Sequence, residues 1–350
     1  MIKRLLWIVL SLTAVGLVYD ALTMARYEGP KSGLFDGQTF YSASYEKKRP
    51  SDLLKWRFNR EPGAWEHRTT QTQRPPERVS EGLRITLINH ATLLIQTANL
   101  NLLTDPTWSG STGPFGKIGP SRFRHPGVPF DALPPIDAVF VSHSHYDHMD
   151  LPTLARLDKT HAPLFIVGLG NAGNLAKVNI DNVIELDWWA ETKVGDSLTL
   201  TMTPARHWSK RTALDTNRTL WGSFVLHDDA RPLVFFAGDT GLGNHFRLIR
   251  QRLGEVPVAL MPIGAYLPRW FMKDNHLSPS DALTATSDLG SDVMIPIHYG
   301  TFALGDDGQD LPLTTLRDEH SRLALLGDES IPTLQVLDNG ESVRIDAHTR

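Results

Sequence analysis

Residues Val139–Asp150 read V-F-V-S-H-S-H-Y-D-H-M-D, an apolar run followed at once by ionisable side chains. The V-F-V run is typical of a buried strand. Alternate residues of an extended chain face the same side, so His143 and His145 can point together at one cation. Asp147 and His148 are adjacent and cannot share that face, but a chain that curls towards a helix can aim both at a second cation. The segment therefore predicts a strand that ends in a metal site.

The residues after the motif predict where a helix begins. Asp150, followed by Leu151 and Pro152, is typical of an N-cap with proline in the first turn. Three histidines and an aspartate within six positions are hard to explain by packing, so we prefer metal binding over an ordinary core or surface role. Imidazole nitrogens with carboxylate oxygens favour zinc first, with iron or manganese as alternatives.

The composition of the whole chain excludes several classes of function. The chain has 350 residues, a formal net charge of -4 and 41% hydrophobic residues, which is ordinary for a globular protein with a substantial core. A general nucleic-acid partner is not expected, because neutralising phosphates requires an excess of Lys and Arg. The chain has no cysteine. Disulfides, thiolate ligands and a catalytic thiol are thereby excluded, so a metal must be held by His and carboxylates.

The N-terminus predicts a location at a membrane. Lys3 and Arg4 precede the apolar run LLWIVLSLTAVGLVY at 5–19, which stops at Asp20. We interpret residues 1–25 as a signal peptide or signal-anchor, although the run is shorter than the roughly 20 residues of a spanning helix. The positive charges predict that the catalytic domain lies outside. The expected protein is membrane-anchored or exported, on the periplasmic side of the inner membrane if bacterial.

The remaining chain predicts an irregular lead over 26–80, docking on the body, and one domain over 81–350. Short β-rich runs occur in two batches, each followed by helical segments, which predicts two sheets packed face to face with helices outside. The predicted strands are 83–88, 92–96, 100–103, 138–141, 164–168, 183–186, 197–203, 220–226, 233–237, 258–262, 293–297, 334–337 and 342–345. The predicted helices are 151–157, one from about 170, 244–253, 278–288, 310–319 and 319–327.

Three further ionisable residues follow later predicted strands. His207 stands in P-A-R-H-W, Asp239 in A-G-D-T-G and His298 in I-P-I-H-Y-G. Each lies where an apolar run ends, and loops that leave a core at strand ends commonly carry functional side chains. Alone, each would more often be a cap or turn residue. Together, after H-x-H-x-D-H, they are candidates for the rest of the metal site.

The pattern H-x-H-x-D-H resembles the signature of the metallo-β-lactamase superfamily. Within it, roughly 35–302 resemble the N-acyl-phosphatidylethanolamine-hydrolysing phospholipase D group and its bacterial relatives. The motifs are F-D-G at Phe35, I-N-H-A-T-L-L-I-Q from Ile88, L-T-D-P from Leu103, R-H-W-S-K-R from Arg206, L-W-G-S-F from Leu220, G-D-T-G from Gly238, H-L-S-P-S-D-A from His276 and I-H-Y-G-T-F ending at Phe302. The resemblance implies an α+β, four-layer αββα sandwich hydrolase with two mainly antiparallel sheets flanked by helices.

The resemblance also implies roles for individual residues. His143, His145 and His207 are expected to hold one metal, and Asp147, His148 and His298 a second, with Asp239 bridging. Tyr146 and His276 are implied to contact the substrate, His276 as an imidazolium on a phosphate oxygen. His90 and Asp105 are expected to support the ligands from outside. Asn89 departs from the family pattern, which usually has Gly before this histidine.

The expected function is phospholipase D-type hydrolysis of N-acyl-phosphatidylethanolamine or a related phospholipid. A hydroxide between two divalent metals, most simply Zn²⁺, would be the nucleophile, with Asp147 and Asp239 as the catalytic carboxylates. The expected partners are a lipid-like substrate and a membrane, reached through the N-terminal segment. Two enzymatic alternatives remain: a lactonase of the ascorbate-6-phosphate type and a hydrolase of another small phosphodiester. A binding protein with structural metals is a further alternative, but structural zinc sites are closed four-ligand sites.

Overall fold

The computed structural model describes residues 14, 16, 18, 20–41, 48–228, 231–328 and 330–345. The strands within them are β1 Leu83–Asn89, β2 Thr92–Thr97, β3 Leu100–Thr104, β4 Ala138–Val141, β5 Leu164–Gly168, β6 Val183–Leu186, β7 Glu191–Val194, β8 Leu198–Thr203, β9 Ser223–Asp228, β10 Pro232–Phe236, β11 Val258–Pro262, β12 Val293–Ile297, β13 Thr333–Leu334 and β14 Ser342–Ile345. The helices that we number are α1 Pro50–Phe58, α2 Leu151–His161, α3 Ala172–Ala176, α4 His245–Leu253, α5 Arg269–Met272, α6 Pro279–Leu289 and α7 Leu311–Leu325. Two short 3₁₀ turns lie at Pro114–Gly116 and Phe130–Ala132.

The strands form two seven-stranded sheets. The first has the order β14-β1-β2-β3-β4-β5-β6, and the second has the order β13-β12-β11-β10-β9-β8-β7. In each sheet three neighbouring pairs are antiparallel and three are parallel. The expectation of mainly antiparallel sheets is therefore corrected to mixed sheets. The parallel pairs arise where helices such as α2 connect consecutive strands, because a parallel crossover needs a long connection.

The two sheets bury a common apolar layer between them. Leu93 and Phe140 of the first sheet belong to the same buried cluster as Leu200, Phe224 and Phe236 of the second. Apolar residues of strands alternate between this inner layer and the outer face, as period-two geometry requires. Removing this apolar area from water is the main favourable contribution to the packing of the sheets.

Helices cover both outer faces. Leu154 and Leu157 of α2 pack with Val139 and Val141 of β4 on the first sheet. On the second sheet, residues of α4, α6 and α7 share a buried cluster with residues of β9, β10 and β11. The predicted four-layer αββα sandwich is confirmed.

The lead segment contacts the body near its second sheet. Trp56 of α1 stacks on Phe271 with 4.9 Å between ring centroids, and its Nε1 donates a hydrogen bond to Asp306. Lys48 forms a 2.7 Å ion pair with Asp274. These contacts tie Lys48 and α1 to α5 and to the loops that precede α6 and α7.

The predicted membrane-anchored or exported location is wrong. Among the residues that the structure describes, no helix is long and apolar enough to cross a membrane. The apolar run at 5–19 reaches Asp20 after fifteen residues, short of the roughly 20 that a spanning helix needs. Most of that run lies outside the described residues.

Candidate metal centre

The candidate ligands converge because the strands that carry them end at the same edge of the sandwich. In the first sheet β3 and β4 run parallel, so the residues after Thr104 and after Val141 emerge side by side. In the second sheet β8 and β10 are both antiparallel to β9, and β10, β11 and β12 are parallel. The loops that follow β8, β10 and β12 therefore open at one edge.

His143, His145 and His207 form the first group, which we call the histidine triad. The Nε2 atom of His143 lies 2.7 Å from Nδ1 of His145, and Nε2 of His207 lies 3.2 Å from the same Nδ1. The Nδ1 atom of His207 lies 3.0 Å from the Asn275 carbonyl oxygen. A hydrogen bond from Nδ1 to that carbonyl fixes the tautomer that presents the unprotonated Nε2 to the group.

Asp147, His148 and His298 form the second group, which we call the mixed triad. One carboxylate oxygen of Asp147 lies 3.3 Å from Nε2 of His148 and 3.3 Å from Nε2 of His298. His90, which was predicted to lie outside the ligands, places its Nε2 3.3 Å from the same oxygen. Potential ligand atoms of these four residues lie within 4.8 Å of one another.

Asp239 lies between the two triads. Its carboxylate is 3.3 Å from His148 Nε2, 3.2 Å from His298 Nε2 and 3.8 Å from His207 Nε2. The residue before it must be glycine, because Gly238 has φ +58° and a Cβ there would lie 2.5 Å from the Ser142 side chain. The G-D-T-G turn thus brings a carboxylate of the second sheet against the turn of the first.

Asp105 orients one histidine of each triad. It accepts a 2.6 Å hydrogen bond from the Ser142 hydroxyl, which in turn lies 2.9 Å from Nδ1 of His143. It also lies 2.6 Å from Nδ1 of His148. Both histidines consequently point Nε2 towards the space between the two triads. Hydrogen-bond partners outside a metal site commonly orient the ligands in this way. Asp105 is buried, as are Ser142 and both histidines.

The two triads differ in their electrostatics. Burial lowers the pKa of His145 to about 4 and holds the pKa values of His143 and His207 well below the usual range. Burial also lowers the pKa of His298, but Asp239 and Asp147 outweigh it and raise that pKa to about 9. The same carboxylates raise the pKa of His148 well above its ordinary value. The histidine triad is neutral, whereas the mixed triad attracts positive charge.

The donor set fits divalent cations. The facing ring nitrogens of the histidine triad cannot all pair with one another by hydrogen bonds at these distances, because each neutral imidazole has only one N–H group. A cation can bind the unprotonated nitrogens of all three rings together. Nε2 of His148 and Oδ1 of Asp239 are buried without hydrogen-bond partners among the described residues. Two carboxylates supply negative charge and oxygen ligands, and the six histidines around them supply nitrogen ligands. Zinc, iron and manganese all bind this combination of ligands.

Comparison with known proteins assigns the family. A family model described as a beta-lactamase superfamily domain matches residues 100–299, more than half of the chain. The chain belongs to this superfamily. It is a metal-dependent hydrolase of the branch that resembles N-acyl-phosphatidylethanolamine-hydrolyzing phospholipase D.

Two named relatives lie in that branch. The mitochondrial N-acyl-phosphatidylethanolamine-hydrolyzing phospholipase D of Saccharomyces cerevisiae is 37% identical over 59% of this chain and 45% of its own length. N-acyl-phosphatidylethanolamine-hydrolyzing phospholipase D 1 of Caenorhabditis elegans is 34% identical over 64% of this chain and 65% of its own length. The hydrolase therefore spans less than two thirds of either relative.

A solved structure supports the fold. A metallo hydrolase from the archaeon Ignicoccus hospitalis superposes with a TM-score of 0.57 at 21% identity, covering 75% of this chain and 98% of its own. At that identity the likeness shows the fold alone. It agrees with the two helix-flanked sheets described above.

In the hydrolase, the two predicted substrate residues lie beside the triads. The Tyr146 hydroxyl donates a 2.8 Å hydrogen bond to the Arg211 carbonyl oxygen. His276 places Nδ1 3.8 Å from Asp239, and burial lowers its pKa to about 4. In this environment His276 is a neutral imidazole, which differs from the imidazolium expected from the sequence.

The departure at Asn89 has a structural counterpart. Its side-chain oxygen accepts a 2.9 Å hydrogen bond from the buried guanidinium of Arg122, and its amide donates to the Thr107 carbonyl. Arg122 also lies over the ring of Phe302, which packs edge-on against His90. Sequence reasoning assigned no role to Arg122, because its R-F-R context resembles any surface basic run.

Proposed function

We propose that the hydrolase is a dinuclear phosphodiesterase that cleaves N-acyl-phosphatidylethanolamine or a related phospholipid on the D side. Water is added across the bond between phosphorus and the headgroup oxygen, which yields phosphatidate and the headgroup alcohol. The observation that carries the proposal is the position of Asp239 between two triads. Their spacing suits two cations rather than one.

In this proposal His143, His145 and His207 hold one cation, and Asp147, His148 and His298 hold the other. Asp239 serves both, and its single negative charge offsets the repulsion between two dications. Zn²⁺ is the proposed metal, because the set combines several imidazole nitrogens with carboxylate oxygens. Bound divalent cations would supply Lewis acidity at the phosphoryl group and acidify a water molecule.

The protein's own residues orient this chemistry. Asp105 and Ser142 fix the ring orientation of His143 and His148, so that neither histidine needs to reorganise during the reaction. Among the residues that the structure describes, Nδ1 of the neutral His276 is buried without a hydrogen-bond partner. We assign it the role of donating a hydrogen bond to a phosphate oxygen of the substrate. Tyr146 is assigned to substrate contact through its ring edge, since its hydroxyl proton is engaged with Arg211.

The choice of a phospholipid rests on the relatives. Both named relatives are phospholipases D that hydrolyse N-acyl-phosphatidylethanolamine, according to their names. The family model matches residues 100–299, which include every residue of both triads and Asp239. A shared site is compatible with a shared reaction type, whereas the acyl and headgroup preferences depend on surfaces outside these motifs.

The proposal is tested by assaying several possible substrates in parallel with one preparation of the protein. We expect the purified protein with bound zinc to release N-acylethanolamine and phosphatidate from N-acyl-phosphatidylethanolamine micelles, with about two metals per chain. Unmodified phosphatidylethanolamine, a soluble phosphodiester and a sugar lactone are assayed in parallel. Hydrolysis of the lactone alone, with both metals present, would favour the lactonase alternative and sink the phospholipid assignment.

A matched pair of variants checks that turnover comes from this site. His145→Ala removes a ligand of the histidine triad and should abolish turnover. His320→Ala makes the same change on the outer helix α7, where Nε2 contacts the Pro332 carbonyl, and should retain turnover. Asp147→Asn with full activity would contradict the catalytic role given to that carboxylate.

A further inference from the structure

Arg211 lies four positions after His207 in the loop that follows β8, and its side chain reaches the metal-binding turn of the first sheet. Its Nη1 atom donates one hydrogen bond to the Ser144 carbonyl oxygen at 2.8 Å and another to the Met149 carbonyl oxygen at 2.7 Å. These two carbonyls stand at opposite ends of the turn that carries His145, Asp147 and His148. One guanidinium nitrogen therefore spans the turn.

The turn holds Arg211 in return. The Tyr146 hydroxyl donates to the Arg211 carbonyl oxygen at 2.8 Å, and the guanidinium carbon lies 4.2 Å from the centroid of the Tyr146 ring. Asp215, which is buried, accepts the backbone N–H groups of Arg211 and Thr212 at 3.0 and 2.9 Å. The arginine is thus fixed from both sides.

The turn needs such a partner because it is neither strand nor helix. Within it, the N–H groups of His148 and Met149 both point to the carbonyl of His145, at 3.2 and 2.8 Å. The Ser144 and Met149 carbonyls have no such neighbour in the turn. A planar cationic donor can satisfy both at once, and hydrogen bonds from charged donors are stronger than neutral ones.

We propose that Arg211 is a positioning residue that holds the 144–149 turn in the shape that presents its ligands to the metals. It ties the turn to the loop that supplies His207. The distance between this ligand of the second sheet and the ligands of the first sheet is thereby held fixed. This role rests on the proposed dinuclear function, because it acts through the ligands. It predicts effects on metal affinity and on kcat that are larger than the effect on substrate affinity, which reaches the substrate only through Tyr146.

The test compares Arg211→Met and Arg211→Lys with an exposed control, Arg322→Met on α7, in the full chain. Zinc affinity is measured without substrate, by competition with a chromogenic chelator. We expect Arg211→Met to weaken it by roughly 10- to 100-fold, as loss of a partner outside the ligand shell commonly does. The lysine variant, with one compact donor, should fall between Arg211→Met and wild type. Arg322→Met should match wild type.

Kinetics with N-acyl-phosphatidylethanolamine supply the second measurement. At saturating zinc we expect kcat in Arg211→Met to fall by a larger factor than KM rises, because the turn carries three proposed metal ligands and only one residue assigned to substrate contact, Tyr146. Wild-type zinc affinity together with wild-type kcat in a folded Arg211→Met would overturn the proposal. Should that variant fail to fold, wild-type zinc affinity in Arg211→Lys overturns it instead.

The two proposals can fail separately. No phospholipid turnover in the wild type, with weakened zinc affinity in Arg211→Met, would refute the phospholipase assignment and leave the positioning role standing. Phospholipid turnover in the wild type, with unchanged zinc affinity and kcat in the folded variants, would do the reverse.

Discussion

The histidine triad and the mixed triad are neighbours, yet the pKa values of their histidines are shifted in opposite directions. Burial is the largest influence on the pKa values of His143, His145 and His207, and with the neighbouring imidazoles it lowers them despite the nearby carboxylates. These three histidines are therefore neutral, which is the state in which imidazole binds a metal. In the mixed triad the carboxylates of Asp147 and Asp239 overcome the burial of His148 and His298. Desolvation therefore dominates the pKa values in the histidine triad, whereas nearby carboxylate charge dominates them in the mixed triad.

In the proposed dinuclear centre, this difference gives the two cations chemically different sets of ligands. Desolvation makes the histidine triad a site of neutral nitrogen ligands, whereas the mixed triad with Asp239 adds oxygen and negative charge. Asp239 belongs to both environments, since its carboxylate lies near His207 on one side and near His298 on the other. Substitutions in each triad and at Asp239 test whether the two triads bind metal independently and whether Asp239 links them.

The largest effect is expected at Asp239, the link between the halves. Asp239→Asn keeps the shape but removes the charge that faces both triads. We expect kcat to fall roughly 10²- to 10³-fold, the range for loss of one electrostatic stabiliser, and zinc content to fall below the wild-type value. The measurement is single-substrate kinetics with metal analysis of the same sample. Asp131→Asn, at an exposed position, is the control, and an active Asp239→Asn with full metal content would contradict the linking role.

The next effect separates the halves. His143→Ala and His298→Ala each remove one ligand from one triad, so each should retain about one zinc per chain and lose activity about a hundred-fold. Metal analysis after dialysis against a weak chelator gives the count. Loss of all metal in both variants would show a single cooperative site instead of two.

A smaller effect is expected from residues that orient both halves or only one. Asp105→Asn disturbs His148 directly and His143 through Ser142, whereas Ser142→Ala disturbs only His143. Loss of such partners costs about 10- to 100-fold in metal affinity or activity. We expect Asp105→Asn to weaken both zinc-binding steps and Ser142→Ala to weaken one. Equal binding curves for the two variants would contradict this division.

Much of the fold followed from local patterns in the sequence. The strands β4, β5, β6, β11, β12 and β14 have the predicted bounds, because each is a short β-rich run ended by a polar or turn residue. Asp150 is the N-cap residue of α2 as predicted, although its carboxylate accepts hydrogen bonds from Ser109 and from the Thr153 hydroxyl rather than from a backbone N–H of the helix. Asp239 and the histidines of both triads lie together because the strands that carry them end at one edge. The sequence predicted that each later ligand follows a strand, but not the order of the strands.

What the sequence did not predict depends on long-range contacts. Helix α1 has little apolar periodicity, and Trp56 finds its partner Phe271 more than two hundred positions away. Strand β7, with its polar E-T-K-V sequence, forms only by pairing with β8. Residues 311–325 form one helix instead of two, since nothing in the L-R-D-E-H stretch interrupts it. Arg211 was visible within R-H-W-S-K-R, but no local pattern reveals that it reaches Ser144 and Met149.

The smallest expected effect is a pair of opposite pH dependences in the metal-free protein. His145 has its pKa lowered from 6.5 to about 4 in the folded chain, so the unfolded chain binds more protons between these values. Its contribution to stability is therefore lost as the pH falls from 6.5 towards 4. His298 has its pKa raised from 6.5 to about 9, so its contribution is present below 6.5 and lost as the pH rises towards 9.

Urea unfolding of the chelator-treated protein at pH 5, 6.5 and 8.5 measures both windows at about 25 °C. We expect His145→Asn to lose less stability than wild type between pH 6.5 and 5, and His298→Asn to lose less between pH 6.5 and 8.5. His320→Asn on α7 should follow wild type throughout. If both ligand variants instead changed the same limb of the profile, desolvation and charge would not be acting on separate halves, and the contrast between the triads would have to be abandoned. Restoring zinc should flatten the limb above pH 6.5 and steepen the limb below it, because a folded chain that binds zinc through His298 no longer binds a proton there.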